Sequence, residues 1–462
     1  MKVLLVFPPQ WTPFRPYLSL PSLTAYLQEK GITVVQKDFN LEAYDLMLTR
    51  PYLSKISERL NTQFAALELK DQLMPGIEQK FYSDLFMAKS IVPDLADKVE
   101  SAKSVYRDKD NFFDPDKLES ATNIINQALV AISLAHFPTI IGLSTFEMSS
   151  FIGSYESLKA ATQNRIENPY IEIFEEHLLP FIKNEQPDVI GITISGESQV
   201  IPAFTLCSVL RQKGIRGHIA VGGYVISMLA DVIPKYPELF ERFIDSAIIN
   251  DGEKPLTELI KHLEQGRSLD TVPNLIFRDG NKIRVNSKEA PEYINSLPAP
   301  SFEGLPLDKY FSPSPVLPLL SSRGCYWAKC AFCTHSLAYG LTYQLRDHVK
   351  VVDDIEALSA KYGTTHIAFS DEGTSPASVG KISDEILRRG IKIRLSTSIR
   401  PERQFTKELA QKMSAAGFKE VYIGVESSCD RVLKQINKGT EIESNEEYCA
   451  ISMTPAFGIT FT

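Results

Sequence analysis

Cys325, Cys330 and Cys333 fall within nine positions, in the run Ser322-Arg323-Gly324-Cys325-Tyr326-Trp327-Ala328-Lys329-Cys330-Ala331-Phe332-Cys333. This C-x4-C-x2-C spacing gathers three of the chain's six cysteines, and thiols so close together are a metal site. Three thiolate ligands suit a cubane iron-sulfur cluster. Four cysteines normally hold such a cluster, so a missing fourth leaves one iron open to a substrate or cofactor. The same three residues with His335 make a compact Cys3His set, a combination that closes a tetrahedral zinc site. An open iron reacts, whereas a closed zinc only staples its loop.

The elements around this loop are those of an α/β protein. Val316 to Leu320, just before it, reads as a short buried strand, so the thiols sit on the loop leaving a strand's carboxyl end, where α/β folds place chemistry. At the other end of the chain, Lys2 to Phe7 reads as a strand, Leu20 to Lys30 as a helix closed by Gly31, and Ile32 to Asp38 as a second strand. Residues 41–137 break this alternation with helical segments, one of which starts where Asp114 caps and Pro115 opens the first turn. They form a helical insertion.

Alternation resumes with the continuous apolar run Asp188 to Ser195, of the kind found in parallel strands buried on both faces. A helix around Ala203 to Lys213 follows, then strand His218 to Val221, then strand Ser246 to Ile249 with the turn Asp251-Gly252-Glu253. These elements predict a doubly wound parallel sheet whose strand ends carry small residues at Ser195, Gly196, Gly222 and Gly223, where a ligand approaches backbone. Residues 274–286 read as a hairpin around Asp279-Gly280-Asn281. The proline-rich run 297–315 reads as an ordered linker between a first domain, 1–296, and a second, 316–462.

Composition bounds the function classes. At 462 residues the chain is long enough for two or three cores, and 44% hydrophobic with 23% charged residues is globular. The net charge of -8 argues against unaided binding to nucleic acid or to an anionic membrane surface. Met1 to Phe7 is too short an apolar run for a signal peptide, and Ala128 to Ala135, the longest such run, falls well short of a membrane span. Cys207, Cys429 and Cys449 are far apart, which points to a reducing, cytoplasmic compartment rather than a disulfide framework.

Several ordered markers over about 185–440 resemble the radical S-adenosylmethionine (SAM) enzymes that carry an N-terminal cobalamin-binding-type domain. Val221-Gly222-Gly223 resembles that family's glycine-pair strand end, Asp251-Gly252-Glu253 its Gly-Glu turn, and Ser322 to Cys333 its cluster loop. Phe369-Ser370-Asp371-Glu372 resembles the acidic end of barrel strand two. Gly424-Val425-Glu426-Ser427 with Lys438-Gly439-Thr440 resembles strand four and its helix. The fold so implied is a Rossmann-like, B12-binding-type sheet followed by a partial (β/α) barrel of the TIM type.

The resemblance implies that Cys325, Cys330 and Cys333 hold a [4Fe-4S] cluster whose open iron chelates SAM, and that an electron from it cleaves the sulfonium to a 5'-deoxyadenosyl radical. It places Phe332 near the adenine, lets Asp371 or Glu372 accept from the SAM amino group, and puts Ser396, Ser398, Arg400 and Glu426 at the ribose or carboxylate. For cobalamin it implies the glycine-lined sheet edge, with Pro9, Gln10, Ser195, Gly196, Gly222, Gly223 and Tyr224 nearby. It also implies a reducing partner such as flavodoxin or ferredoxin and an undefined small-molecule or peptide substrate.

The chain departs from that pattern in three places. Its first cysteine spacing has four residues, Tyr326 to Lys329, where the family usually has three. No Asp-x-His-x-x-Gly motif supplies a histidine below cobalt. Barrel strands are expected at Val316 to Leu320, His366 to Ser370, Ile393 to Thr397 and Glu420 to Val425. A fifth begins at Gly458 to Phe461, and Tyr448 to Pro455 before it lacks a helical pattern, so a truncated barrel is expected. Two functions follow: a radical SAM enzyme, including the cobalamin-dependent methyltransferase class, or a non-catalytic corrin- or metal-binding protein with an incomplete barrel or structural zinc.

Overall fold

A computed structural model describes residues 1–149, 153–335, 338, 342–443 and 458–461. Strand β1 (Lys2–Phe7) explains the layering, because its side chains alternate between two buried faces. Leu4 and Val6 pack into a cluster with the helices, whereas Val3, Leu5 and Phe7 join a second cluster that continues into the carboxyl-terminal part of the chain. Such burial on both faces is what a continuous apolar strand requires.

Helix Ser19–Glu29 returns the chain to β2 (Thr33–Asp38), parallel to β1. The sheet is then left for helices Phe39–Met47, Arg50–Glu68, Ile77–Arg107 and Pro115–Ala135, the last capped by Asp114, whose side chain accepts from Lys117 N at 3.3 Å. A short antiparallel pair, β3 (Ile140–Ile141) and β4 (Phe146–Glu147), follows this insertion. The sheet resumes with β5 (Val189–Thr193), β6 (His218–Gly222) and β7 (Ser246–Ile248), and closes with the hairpin β8 (Leu275–Asp279) and β9 (Lys282–Val285). Strand order is β2-β1-β5-β6-β7-β8-β9, parallel as far as β7 and antiparallel at the hairpin edge.

The second sheet runs β10 (Val316–Leu319), β13 (His366–Phe369), β14 (Arg394–Ile399), β15 (Phe418–Ile423) and β16 (Gly458–Phe461), all parallel and in chain order. A small ribbon of β11 (Ser322–Arg323) and β12 (Gln344–Leu345) stands at the mouth of β10. The crossing helices His348–Tyr362, Pro376–Arg389 and Lys407–Ala416 start at the caps Asp347, Ser375 and Thr406, whose side chains accept from first-turn N–H groups. β15 begins two residues before the expected Glu420, because Gly417 ends the helix and Phe418 is already in the core. The expected non-helical stretch Tyr448 to Pro455 lies outside the described residues. Among the described residues no helix is long and apolar enough to cross a membrane.

The segment 297–315 is bound to β2 by buried polar contacts. Gln36 Nε2 donates to the carbonyls of Ser301 and Glu303, each at 2.8 Å, and Tyr310 Oη donates to Asp38 Oδ2 at 2.5 Å. Asp38 also caps helix Phe39–Met47 by accepting from Leu41 N at 3.1 Å. Burial pushes the Asp38 carboxyl up to about 6, against the pull of the Tyr310 hydroxyl. A carboxyl whose folded pKa lies above its unfolded one adds stability that is complete below the unfolded value and is lost as pH rises through the folded value. Asp38→Asn, which keeps a cap acceptor, is therefore expected to gain on the native chain between about pH 4 and pH 6, by on the order of 2 kcal/mol, in urea unfolding compared across that range.

Candidate functional site

The carboxyl ends of both parallel sheets open onto one cavity of about 430 Å³. Trp11, Tyr17, Gly222 and Gly223 line it from the first sheet, and Arg323, His335, Glu372 and Ser398 from the second. On the first side the second glycine of the pair is required by close backbone approach. Gly223 sits at φ +104°, and a Cβ there would lie 2.6 Å from the Ile194 carbonyl oxygen. Gly196 faces the Trp11 ring, which a Cβ would meet at 2.8 Å.

Gln199, which no motif marks, ties this edge together. Its Oε1 accepts from Ser195 N at 2.8 Å and Gly196 N at 3.2 Å, while its Nε2 donates to the Pro8 carbonyl at 2.7 Å. The loop after β1, with buried Pro9, is thereby locked to the loop after β5. Gln10 does not face the cavity with free polar atoms: its buried amide donates to Tyr44 Oη and the Gly142 carbonyl and accepts from Tyr170 Oη. Tyr224 bonds the Thr334 hydroxyl next to Cys333, joining the first sheet's edge to the cluster loop.

Between the sheets stands a buried ion triad. Arg323, two residues before Cys325, places Nε 3.2 Å from Asp251 Oδ1 and Nη2 2.5 Å from Glu253 Oε1. The Asp251-Gly252-Glu253 turn and the Ser-Arg-Gly-Cys run, separate markers in the sequence, are thus one contact. Burial raises the Asp251 carboxyl to about 6, with Arg323 opposing the rise.

Cys325 and Cys330 are half-buried and Cys333 is exposed. Burial raises the Cys330 thiol, and the Lys438 and Arg400 cations work the other way by favouring its thiolate. Among the described residues no three His, Cys, Asp or Glu side chains converge as one metal ion requires. A tetrahedral zinc needs its donors on a single atom, whereas a cubane binds each thiolate at a separate iron, so this donor set with adjacent cations fits the cluster better. His335, the fourth donor of the zinc reading, has its Nδ1 3.4 Å from Glu372 Oε1.

The residues expected around SAM divide into two groups. Glu372 and Ser398 face the cavity, and burial raises the Glu372 carboxyl, reinforced by Asp371. Asp371 also lines the cavity, but it is 4% exposed and its oxygens are committed to the fold. Its Oδ1 accepts from Ser321 N at 2.8 Å and Ser322 N at 3.1 Å, and its Oδ2 from the hydroxyls of Ser321, Ser322 and Thr374. Ser396 is buried on β14, and Phe332 is 50% exposed and does not line the cavity. Arg400 and Glu426 belong to a clasp behind the cluster loop: Arg400 bonds the Lys438 carbonyl, and the Lys438 ammonium lies 2.8 Å from Glu426 Oε1.

Residues 319–449 match the radical SAM superfamily. Among curated proteins the chain is 29% identical over 286 residues to an uncharacterized methyltransferase of Pyrococcus horikoshii, covering 60% of each. It is 28% identical over 347 residues to 4'-phospho-dehydrooxetanocin synthase of Priestia megaterium, covering 69% of this chain and 45% of that one. The chain thus spans about half the length of these relatives. The fold is that of OxsB, a cobalamin-dependent SAM radical enzyme solved with aqua-cobalamin and SAM bound (TM-score 0.60, 18% identity, 100% of this chain and 49% of that one). The radical SAM methyltransferase TsrM from Kitasatospora setae, solved with cobalamin and a [4Fe-4S] cluster, superposes similarly (TM-score 0.58, 16% identity, 100% of this chain and 68% of that one).

Replacing Gln199 by leucine strands two N–H groups and a carbonyl in a buried loop junction. Gln199→Leu is expected to lower the unfolding free energy by about 3 kcal/mol, read by chemical denaturation.

Proposed function

We propose that this chain, which carries a radical SAM domain in residues 319–449, works as a cobalamin-dependent radical SAM enzyme of the methyltransferase class. The observation that carries this reading is the shared cavity: a glycine-lined sheet edge and the residues that flank the three cysteines, Ser322 to Gly324 and His335, line the same space. Residues 1–296 would form the cobalamin-type domain, 297–315 the link, and 316 onward the radical SAM unit. The resemblance to OxsB and TsrM, both solved with cobalamin, supports that division.

When bound, the cluster and SAM supply one-electron cleavage of the sulfonium to a 5'-deoxyadenosyl radical, and cobalamin supplies a carrier for a methyl group. The protein's part is to hold, orient and exclude water. Cys325, Cys330 and Cys333 would ligate the three protein-held irons. Glu372 would accept from an amino group and Ser398 would bond a ribose or carboxylate oxygen, while Lys438 and Arg400 would offset the negative charge of the thiolates. Gly222 and Gly223 let a flat macrocycle come against backbone, and Trp11 stands beside Gly196 on the same edge. A one-electron reductant such as flavodoxin or ferredoxin, and a reducing cytoplasmic setting, follow from this chemistry. The zinc reading is weaker, since among the described residues no three His, Cys, Asp or Glu side chains converge as one metal ion requires.

Anaerobic reconstitution with iron and sulfide, reduction by dithionite and chromatography of the SAM products test the proposal. Wild type is expected to form 5'-deoxyadenosine, and Cys330→Ala to form none. Stoichiometric zinc in place of iron, or product that survives the substitution, would sink it.

A further inference from the structure

The four residues between Cys325 and Cys330 do more than span a gap. Trp327 leaves the loop and lies against the segment that follows helix Asp430–Gln435. Its Nε1 donates to the Asn437 carbonyl at 2.8 Å, and the Arg400 guanidinium covers its ring at 4.4 Å from the centroid. Gly439 is pressed beneath the ring so closely that a Cβ there would fall 2.1 Å from a ring carbon. Two further bonds fasten the loop backbone on either side: Asn437 Nδ2 donates to the Lys329 carbonyl at 2.9 Å, and Ala331 N donates to the Ile436 carbonyl at 2.8 Å. Between Trp327 and these two bonds Ala328 is held at φ +48°, a conformation that L side chains seldom adopt without support.

We infer that Trp327 is a positioning residue, a lock that fixes the cluster loop before any cluster is bound. The inference rests on the cluster reading proposed above for the same cysteines. The loop's extra length forms the lock: the chain must travel out far enough to seat an indole between Arg400 and Gly439, then turn back through Ala328 to Cys330. Arg400 closes the other side of the ring while bonding the Lys438 carbonyl, so the guanidinium is held by the same contact. Gly439 is glycine because the ring occupies the volume of a side chain, and at φ +72° it also adopts a conformation natural to glycine.

The chain has two tryptophans, so Trp11→Phe leaves Trp327 as the sole tryptophan, excited at the red edge where the tyrosines do not absorb. In that background, acrylamide is expected to quench the metal-free protein weakly, and Gly439→Ala to make quenching strong by expelling the indole. With the cluster loaded, Gly439→Ala and Trp327→Ala are each expected to lower the iron retained after desalting by about tenfold, as loss of a support behind metal ligands does. Because both remove one contact, the pair Trp327→Ala/Gly439→Ala should lose little more than Trp327→Ala alone. Trp327→Phe keeps the stacked ring without the Asn437 bond; it should fold, retain most of the iron and blunt the change that SAM makes in the electron paramagnetic resonance signal of the reduced cluster. Unchanged quenching in Gly439→Ala, fully additive losses in the pair, or wild-type iron retention in Trp327→Ala would overturn the inference. Wild-type protein that takes up no iron overturns the cluster reading instead, and the quenching arm still decides whether the lock exists.

Discussion

A carboxylate removed from water must find its hydrogen bonds inside the protein, and Asp371 finds all of its own at the root of the cluster loop. Its two oxygens take the backbone N–H groups of Ser321 and Ser322 and the hydroxyls of Ser321, Ser322 and Thr374. The exits of β10 and β13 are joined by this one group. The Thr374 hydroxyl extends the network to Thr397 on β14 at 2.6 Å. An uncompensated charge at such a depth would be costly, so the geometry is held by necessity. Everything downstream along the loop, from Arg323 to Cys333, starts from that anchor.

Two further contacts turn an anchored loop into a site shared by two sheets. Arg323 reaches back to Asp251 and Glu253 at the end of the first sheet, and Tyr224 bonds Thr334 beyond the cysteines. These polar contacts add direction to the joint, because the apolar cluster that runs from Val3, Leu5 and Phe7 to Leu317, Ile367 and Leu395 already supplies the area. Hydrophobic burial has no preferred orientation, whereas an arginine set between two carboxylates does. The carboxyl ends of the strands therefore meet across a small cavity lined from both sheets.

Much of this was legible in the chain. The strands, the capped helices, the hairpin and the helical insertion followed from periodicity and from caps such as Asp114, because those signals are local. The three cysteines, the glycine pair and the acidic strand end were visible as motifs. Roles within the motifs were harder to read. Asp371 and Glu372 are adjacent and chemically alike and both line the cavity, yet the oxygens of Asp371 are consumed by Ser321, Ser322 and Thr374, whereas Glu372 meets His335. Gln10 was equally ambiguous until Tyr44, Tyr170 and Gly142 were found around its amide. Gln199 carried no signal, as a lone glutamine before a helix is unremarkable in one dimension.

By itself, then, the sequence determined the element types, the two parallel sheets and the close grouping of three thiols, because backbone propensity, strand alternation and cysteine spacing act over a few residues. Tertiary structure alone decided which polar groups remain available for a ligand. Trp327 against Gly439, Arg323 between Asp251 and Glu253, and Gln199 on the Pro8 carbonyl pair residues far apart in the chain. Such pairs exist only after the shared core has brought the strand ends together, and whether a side chain serves the fold or the site depends on which neighbour it meets there.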